Sequence, residues 1–441
     1  MTIPSTDRSD RDEAPAAAPR TRRSLFRHHD FRQLWLGDTV SVFGMQFVMF
    51  AMPLMAVRLL SANELQMGVL TALETLAFLL IGLPAGAWVD RWRKKRVIVI
   101  GDLVRAALLL TLPAAWLLGM LSLTQLYVVA FLVGCITVFF DVANQSYLPE
   151  ILEPHQISEG NSKLQASQQV ALVIGPAAAS GFVRLLGSPL TIAVTSACMA
   201  ASSLFVSRIR HVEQAPHPDD RRPLVAEIRE GLAFVVRQPL LRRIVASTGL
   251  VNFGSTAINA LFVIYAINTL GLDETRLGLV FSVAAVGGIV GALTASPVAH
   301  VVGEARAIPL AMVAAGLAGF ATPLASHLPA VPTLLIGWFI GSWGVVVYNV
   351  TQVSFRQRLC PKPLLGRMNA SIRFLVWGPM PIGAFLGGLV GRHLGVLEAL
   401  WIFAGVSLAA ALPVLVSPLV GMRDLPGPES SVPESSVPSN G

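Results

Sequence analysis

The sequence predicts an all-α membrane protein, with twelve transmembrane helices in two pseudo-symmetric six-helix halves. Three observations lead there. Of 441 residues, 54% are hydrophobic and only 13% charged, with a mean hydropathy of +0.63. A soluble domain is ~25% charged, and disorder requires low hydrophobicity, so neither class fits. Apolar stretches of ~20 residues, the length that crosses a ~30 Å hydrocarbon core, recur twelve times between Phe31 and Val420. The second six echo the first at a nearly constant offset.

The elements follow in order. The basic arm at 1–30 is expected to be disordered and has no apolar stretch of the signal-peptide kind, so the first span, 33–58, is expected to direct insertion. Spans two and three, 66–89 and 97–118, flank a loop with five cations between Arg91 and Arg96. Spans at 123–144, 161–184 and 188–207 complete the N-terminal half, 31–207. A cytoplasmic central loop, 208–242, holds Pro216, Pro218, Asp219 and Asp220 and reads as a linker. The C-terminal half, 243–420, has spans at 243–269, 276–299, 307–326, 332–352, 370–391 and 397–419. The tail, 421–441, repeats Pro-Glu-Ser-Ser-Val and is expected to be disordered.

Charge sets the orientation. With the N-terminus inside, 28 of the 33 Lys and Arg fall on the cytoplasmic side, and only Arg58, Arg184, Arg276 and Arg392 fall outside. The positive-inside rule then puts both termini in the cytoplasm of a multi-pass protein, expected in a bacterial inner membrane. Cys135, Cys198 and Cys360 stand apart, which excludes a disulfide framework or a zinc site. The nucleotide-binding, metalloprotease and hydrolase motifs are missing, so no enzyme, no metal, no cofactor and no nucleic-acid partner is expected.

The echo between halves is specific. QMGVL at 66–70 matches RLGLV at 276–280, an offset of 210, and FDVANQ at 140–145 matches YNVTQV at 348–353, an offset of 208. Halves in the same orientation imply a pseudo-twofold axis along the membrane normal, about which they can rock.

The loop between spans two and three reads Gly86-Ala-Trp-Val-Asp90-Arg91-Trp-Arg93-Lys94-Lys95-Arg96. Gly86 permits close helix approach, Asp90 suits a helix N-terminus, and the cations suit acids on neighbouring helices. It resembles the G-x-x-x-D-R-x-G-R-K loop of the major facilitator superfamily, with Arg93 in place of the glycine. Span five carries Gly175-Pro176, a helix-kink signal, similar to the Gly-Pro motif of antiporters in that superfamily. FFDVANQSYLPEIL, EIREGLAFVVRQPLLRRI and RQRLCPKPLLGRMNAS resemble its drug:proton antiporter branch, which includes macrolide-efflux proteins and the enterobactin exporter. The arginine motif usual in span four is absent. The resemblance covers about residues 30–420. It implies the major facilitator fold, with spans one, four, seven and ten around a cavity. It also implies that Asp141 pairs with the 90–96 loop, so that Gly86, Asp90, Arg91, Lys94, Lys95 and Asp141 form a gating latch.

Ionisable residues inside spans are costly and mark function by default. Glu74 lies near the centre of span two, and its helical neighbours Leu70, Ala77, Phe78 and Ile81 are all apolar. A charge there is disfavoured, which suits reversible protonation; a carboxyl hydrogen-bonded to a neighbouring helix is the plain alternative. Asp38, two turns into span one, is the second proton-coupling candidate. Asp102 and Arg105, spaced i, i+3, read as a structural pair. Span seven presents Asn252, Ser255, Thr256 and Asn259 on one stripe, suited to a cavity or to interhelical hydrogen bonds. Met45 and Met49 on span one, and Trp338, Ser342 and Asn349 on span ten, complete the candidate cavity, since Met surfaces adapt to varied apolar ligands.

The expected function is export of a small hydrophobic compound such as an antibiotic or other secondary metabolite. It would be driven by protons, without a cofactor, by a monomer in the bilayer. A siderophore exporter, a proton-coupled importer and a non-transporting receptor or scaffold are the alternatives.

Overall fold

Span one runs unbroken for 32 residues, from His29 to Leu60, with His28 Nδ1 accepting the first-turn amide of Phe31 at 3.2 Å. This computed structural model describes residues 25–89, 91–153, 156–213, 224–359 and 365–423. Twelve helical segments in it are long and apolar enough to cross a membrane, and no strand occurs among the described residues. Spans two to six are Glu64–Val89, Lys94–Leu117, Leu123–Ile151, Ile157–Leu186 and Ser188–Ser207. Span seven is Pro239–Ile264, prolonged by a π turn over Tyr265–Thr269. Span eight is Glu274–Val302, span nine Glu304–Gly319 with Ala321–Leu324, and span ten Ala330–Leu359. Span eleven breaks at Gly378 into Leu365–Trp377 and Pro379–Leu394, and span twelve is Val396–Ala409 with Leu412–Leu415.

The repeat read from the sequence is built into the packing. In the first half, span one packs on six and five, three on six and four, and two on four. In the second, seven packs on twelve and eleven, nine on twelve and ten, and eight on ten. Even the joints match. Gly187 and Gly395 each link two spans with a single residue, at φ 83° and 107°. A Cβ at such a φ is strained, so glycine is required.

Two corrections concern the segments outside the spans. The central segment 208–242 is more than a loop: Leu224–Arg237 is helical and amphipathic. Its Val235 joins Leu241, Val245, Met368, Ile372 and Val376 in a small core, which ties this helix to spans seven and eleven. The arm at 1–30 is ordered at its end, where Leu25–Arg27 forms a 3₁₀ turn with Leu25 buried. There Lys163 lies over the Phe26 ring, and Asp30 accepts the backbone amides of Arg210 and His211 at 2.9 and 3.1 Å. Residues 1–24 and 424–441 fall outside the described residues.

One end of the bundle carries the turns after spans two, four and six, at 91–93, 152–153 and 208–213, and among the described residues it gathers Arg91, Arg93, Lys94, Lys95, Arg96, Arg208 and Arg210; it is the basic end. At the opposite end the halves touch. Spans two and eleven meet at Gly68 and Gly388, where a Cβ on Gly68 would fall 2.7 Å from both Ala384 O and Gly388 Cα. Spans five and eight meet where Gly278 abuts Pro176 and Ser180. Arg58, closing span one, pairs with Glu274, opening span eight, at 3.3 Å.

Candidate functional site

Two cavities adjoin at Ala284 and Ser342. The first, of about 430 Å³, lies between the halves and is lined by spans one, five, eight and ten, with Gln46, Met49, Gln169, Pro176 and Phe281 among its walls. The second, of about 360 Å³, enters the C-terminal half and meets Asn252, Ser255, Asn259, Trp338 and Ser342. Toward the opposite end an aromatic cluster crosses between the halves. Phe50 meets Phe281 edge-on at 6.1 Å, and Trp338 lies 5.3 Å from Phe281 and 4.4 Å from Phe262. The walls are mostly apolar with a few convergent amide and hydroxyl groups, the lining that suits a small organic ligand.

The expected cavity residues divide. Met49, 65% exposed within the protein's own surface, and Asn252, Ser255, Asn259, Trp338 and Ser342 line these cavities. Thr256 does not: it is buried, and its hydroxyl donates to Asn252 O at 2.7 Å. Asn349, exposed on the face of span ten that carries Ser342 and Val346, accepts from Gln352 at 3.4 Å and lines neither cavity, and Met45 is half-buried outside both. Asn252 has a second task. Its amide donates to Val376 O at 2.7 Å, beside the break in span eleven, where Pro379 and Pro381 supply no N–H.

Sequence reasoning missed Gln46, Gln169, Phe50 and Phe281. The glutamines carry no charge, so the scan for intramembrane ionisable groups passed over them. The signal was Gln168-Gln169 inside an apolar span. Span five itself stays helical through Gly175 and Pro176. There Gly175 is packed against Gln46, where a Cβ would fall 2.6 Å from its side chain, and Pro176 lines the inter-half cavity. Beyond the kink the sequence suggests, the pair thus provides clearance for Gln46 and a wall of the cavity.

The candidate acids sit in different settings. Glu74, half-buried on span two, has no hydrogen-bond or ion-pair partner among the described residues. Its main-chain oxygen lies against Gly134, where spans two and four pack. Asp38 belongs to a buried cluster. It accepts from Asn144 Nδ2 at 2.6 Å, and the charges acting on it are those of Asp102, Asp141 and Arg105. Asp102, fully buried, takes Arg105 at 2.5 Å and the Ser202 hydroxyl at 2.6 Å, and the guanidinium stacks 4.0 Å over Phe140. Asp102 alone bonds the guanidinium, while Asp38 and Asp141 lie within range of its charge, on spans one and four. Arg105 Nε and Asn144 Oδ1 are left without partners. The expected structural pair is the hub of this network.

The latch departs from expectation. Lys94 pairs with Glu150 at the end of span four, and Lys95 Nζ donates to Ile209 O at 2.6 Å while its amide donates to Glu213 at 2.5 Å. Asp141 instead feels Arg105 and, from the other half, Arg373. Glu150, nearer the loop, captures Lys94, and the Ile209 carbonyl takes the Lys95 ammonium. Gly86 lies one turn before the end of span two, Arg91 is exposed, and Asp90 falls outside the described residues.

The contact at Gly68 is open to test. Gly68→Val would drive a methyl into main-chain atoms of span eleven, so the opposite end should no longer close. Labelling of Met49→Cys by an impermeant thiol reagent added from that end should rise several-fold. Unchanged labelling would mean that this contact seals nothing.

A profile of the "Major Facilitator Superfamily" matches residues 34–377 and, in a second match, 244–439. The chain is 26% identical over 381 residues to the "Multidrug efflux pump Tap" of Mycolicibacterium fortuitum, covering 82% of this chain and 88% of that one. To the "Enterobactin exporter EntS" of Salmonella choleraesuis it is 21% identical, covering 83% and 86%. Among solved structures, a bacterial homologue of the iron transporter ferroportin in an inward-facing state superposes with a TM-score of 0.71 at 17% identity, over 89% of this chain and 99% of that one.

Proposed function

Because the chain belongs to the Major Facilitator Superfamily, we propose that it is a secondary active exporter of a small, largely apolar compound, working by proton-coupled alternating access. The carrying observation is the inter-half cavity. It is walled by residues of both halves, so any movement of one half against the other changes its access. Met49, Phe281 and Trp338 offer polarisable apolar surface that accommodates varied shapes. Gln46, Gln169 and Asn259 offer hydrogen bonds without a fixed charge, which suits a neutral or weakly basic cargo. The efflux pump and exporter named among its relatives support outward transport. A siderophore carries many polar groups, and this sparse lining favours an apolar cargo over it.

In this reading the basic end faces the cytoplasm of a bacterial inner membrane. The Arg58–Glu274 pair, the aromatic cluster and the glycine contacts hold the periplasmic end shut. Glu74 and Asp38 are the coupling acids. A proton arriving on an acid changes the solvation that each conformation must supply, and so shifts their balance. The working unit is a monomer, since one chain supplies both halves.

Two measurements test this. A reporter active only in the periplasm, fused after Gly441, should stay silent; an active fusion would overturn the orientation. Inverted vesicles given a pH gradient should accumulate apolar antibiotics and not a catecholate siderophore. Siderophore accumulation alone would replace the cargo assignment, and no accumulation of either would sink the exporter.

A further inference from the structure

The outer face of spans three and four carries a groove apart from the two central cavities. It encloses about 730 Å³ and begins at the basic end with Arg91, Arg93 and Arg96. It continues between the spans past Ile100, Val104 and Phe139. All three arginines are exposed, and none has a carboxylate partner among the described residues. The neighbouring lysines differ: both are committed inward, Lys94 to Glu150 and Lys95 to Ile209 O and Glu213. Ile100 and Val104 are 57% and 40% exposed, on a stretch of span three that faces away from its partners. Gly101 lies on the floor, where a Cβ would touch Ile136 at 3.4 Å. Trp88 stacks on Phe139 at 5.9 Å from behind, and Trp92, tilted against the same ring at 5.7 Å, lines one edge of the groove.

Topology alone does not ask for this arrangement. The matching loop of the second half, 299–307, has one arginine, Arg306, and it donates to Val420 O at 3.3 Å. The cationic groove is thus a feature of one half only. With the basic end at the membrane surface, as the proposed orientation has it, the arginines would reach the headgroups, the apolar floor the acyl chains, and the tryptophans the boundary between them. Guanidinium forks bind phosphate oxygens two at a time, and basic pockets between helices suit anionic headgroups.

We propose that this groove binds an anionic phospholipid of the leaflet at the basic end, with its phosphate on Arg91, Arg93 and Arg96 and an acyl chain along Ile100 and Val104. The bound lipid would brace spans three and four at their joint.

Native mass spectrometry of the purified full chain, titrated with phosphatidylglycerol, phosphatidylethanolamine or phosphatidylcholine, tests it. The parent protein should retain phosphatidylglycerol selectively. Arg91→Gln/Arg93→Gln/Arg96→Gln should weaken that binding roughly 100-fold, as three lost cations imply. Val104→Trp keeps every arginine and fills the apolar floor, and should weaken it too. Arg→Lys at all three positions keeps the charge and loses the fork, so it should fall between. Equal retention of the three lipids by the parent would overturn the proposal, as would a triple Gln variant that binds like the parent. Displacement of the lipid by excess inorganic phosphate, with Val104→Trp unaffected, would make this a free-phosphate site and overturn it equally. These readouts need no transport, so they stand or fall apart from the exporter reading.

Discussion

Glu74→Gln should abolish gradient-driven accumulation of cargo in inverted vesicles while leaving cargo binding within about twofold, since a neutral amide keeps the volume of the acid and removes only its titration. The argument is one of solvation. Glu74 stands ten positions into span two, about 15 Å along the helix at 1.5 Å per residue. No cation or donor is paired with it among the described residues. An ionised carboxylate without a partner is expensive in such a place, and a proton removes that cost. Close by, Phe78 meets Trp377 edge-on at 5.0 Å, and Leu79 reaches the break at Gly378, so span two touches the other half near this acid. Movement there changes the water that Glu74 can reach. A Gln variant that still concentrates cargo against its gradient would pass the coupling role to Asp38.

Arg105→Leu should be the most destabilising single change in the first half, by about 3–5 kcal/mol, because it strands the Asp102 carboxylate in a buried site. Arg105 is 2% exposed and Asp102 is fully buried. Its charge also reaches Asp38 and Asp141, and the guanidinium covers Phe140. Arg105→Leu combined with Asp102→Leu should recover most of the loss, since apolar pairs replace buried ion pairs at little cost. Reversible unfolding in mixed detergent micelles gives both numbers. A single variant as stable as the parent would show that Asp102 needs no counter-charge, and the cluster would lose its hub.

Much of the fold was legible because it rests on length and periodicity. An apolar stretch that must satisfy its own backbone hydrogen bonds in lipid has little choice but helix, so the spans followed from counting. The amphipathic helix at 224–237 was hidden among prolines and charges, and its partners on span eleven lie over 130 positions away in sequence. The candidate site was legible in part. Asn252, Ser255 and Asn259 share a stripe because helical spacing decides that. What each touches was not legible: Thr256 shares the stripe and turns back on its own helix, and Asn252 is divided between the cavity and the broken span. The capture of Lys94 by Glu150 depends on how far span four extends beyond its apolar stretch, and hydropathy does not measure that.

The single-glycine joints at 187 and 395 have a mechanical meaning. A link of one residue at fixed φ behaves as a bracket, holding spans five and six, and likewise eleven and twelve, at a set angle. Span five touches the other half through eight, and span eleven through two. Neither can swing as a lone flap; each must carry its bracketed neighbour, and through spans one, three, seven and nine the rest of its half. Leverage applied at either contact is therefore delivered to six helices at once. A longer, slacker hinge at either glycine would let the contact yield locally and leave the far end of the cavity where it was.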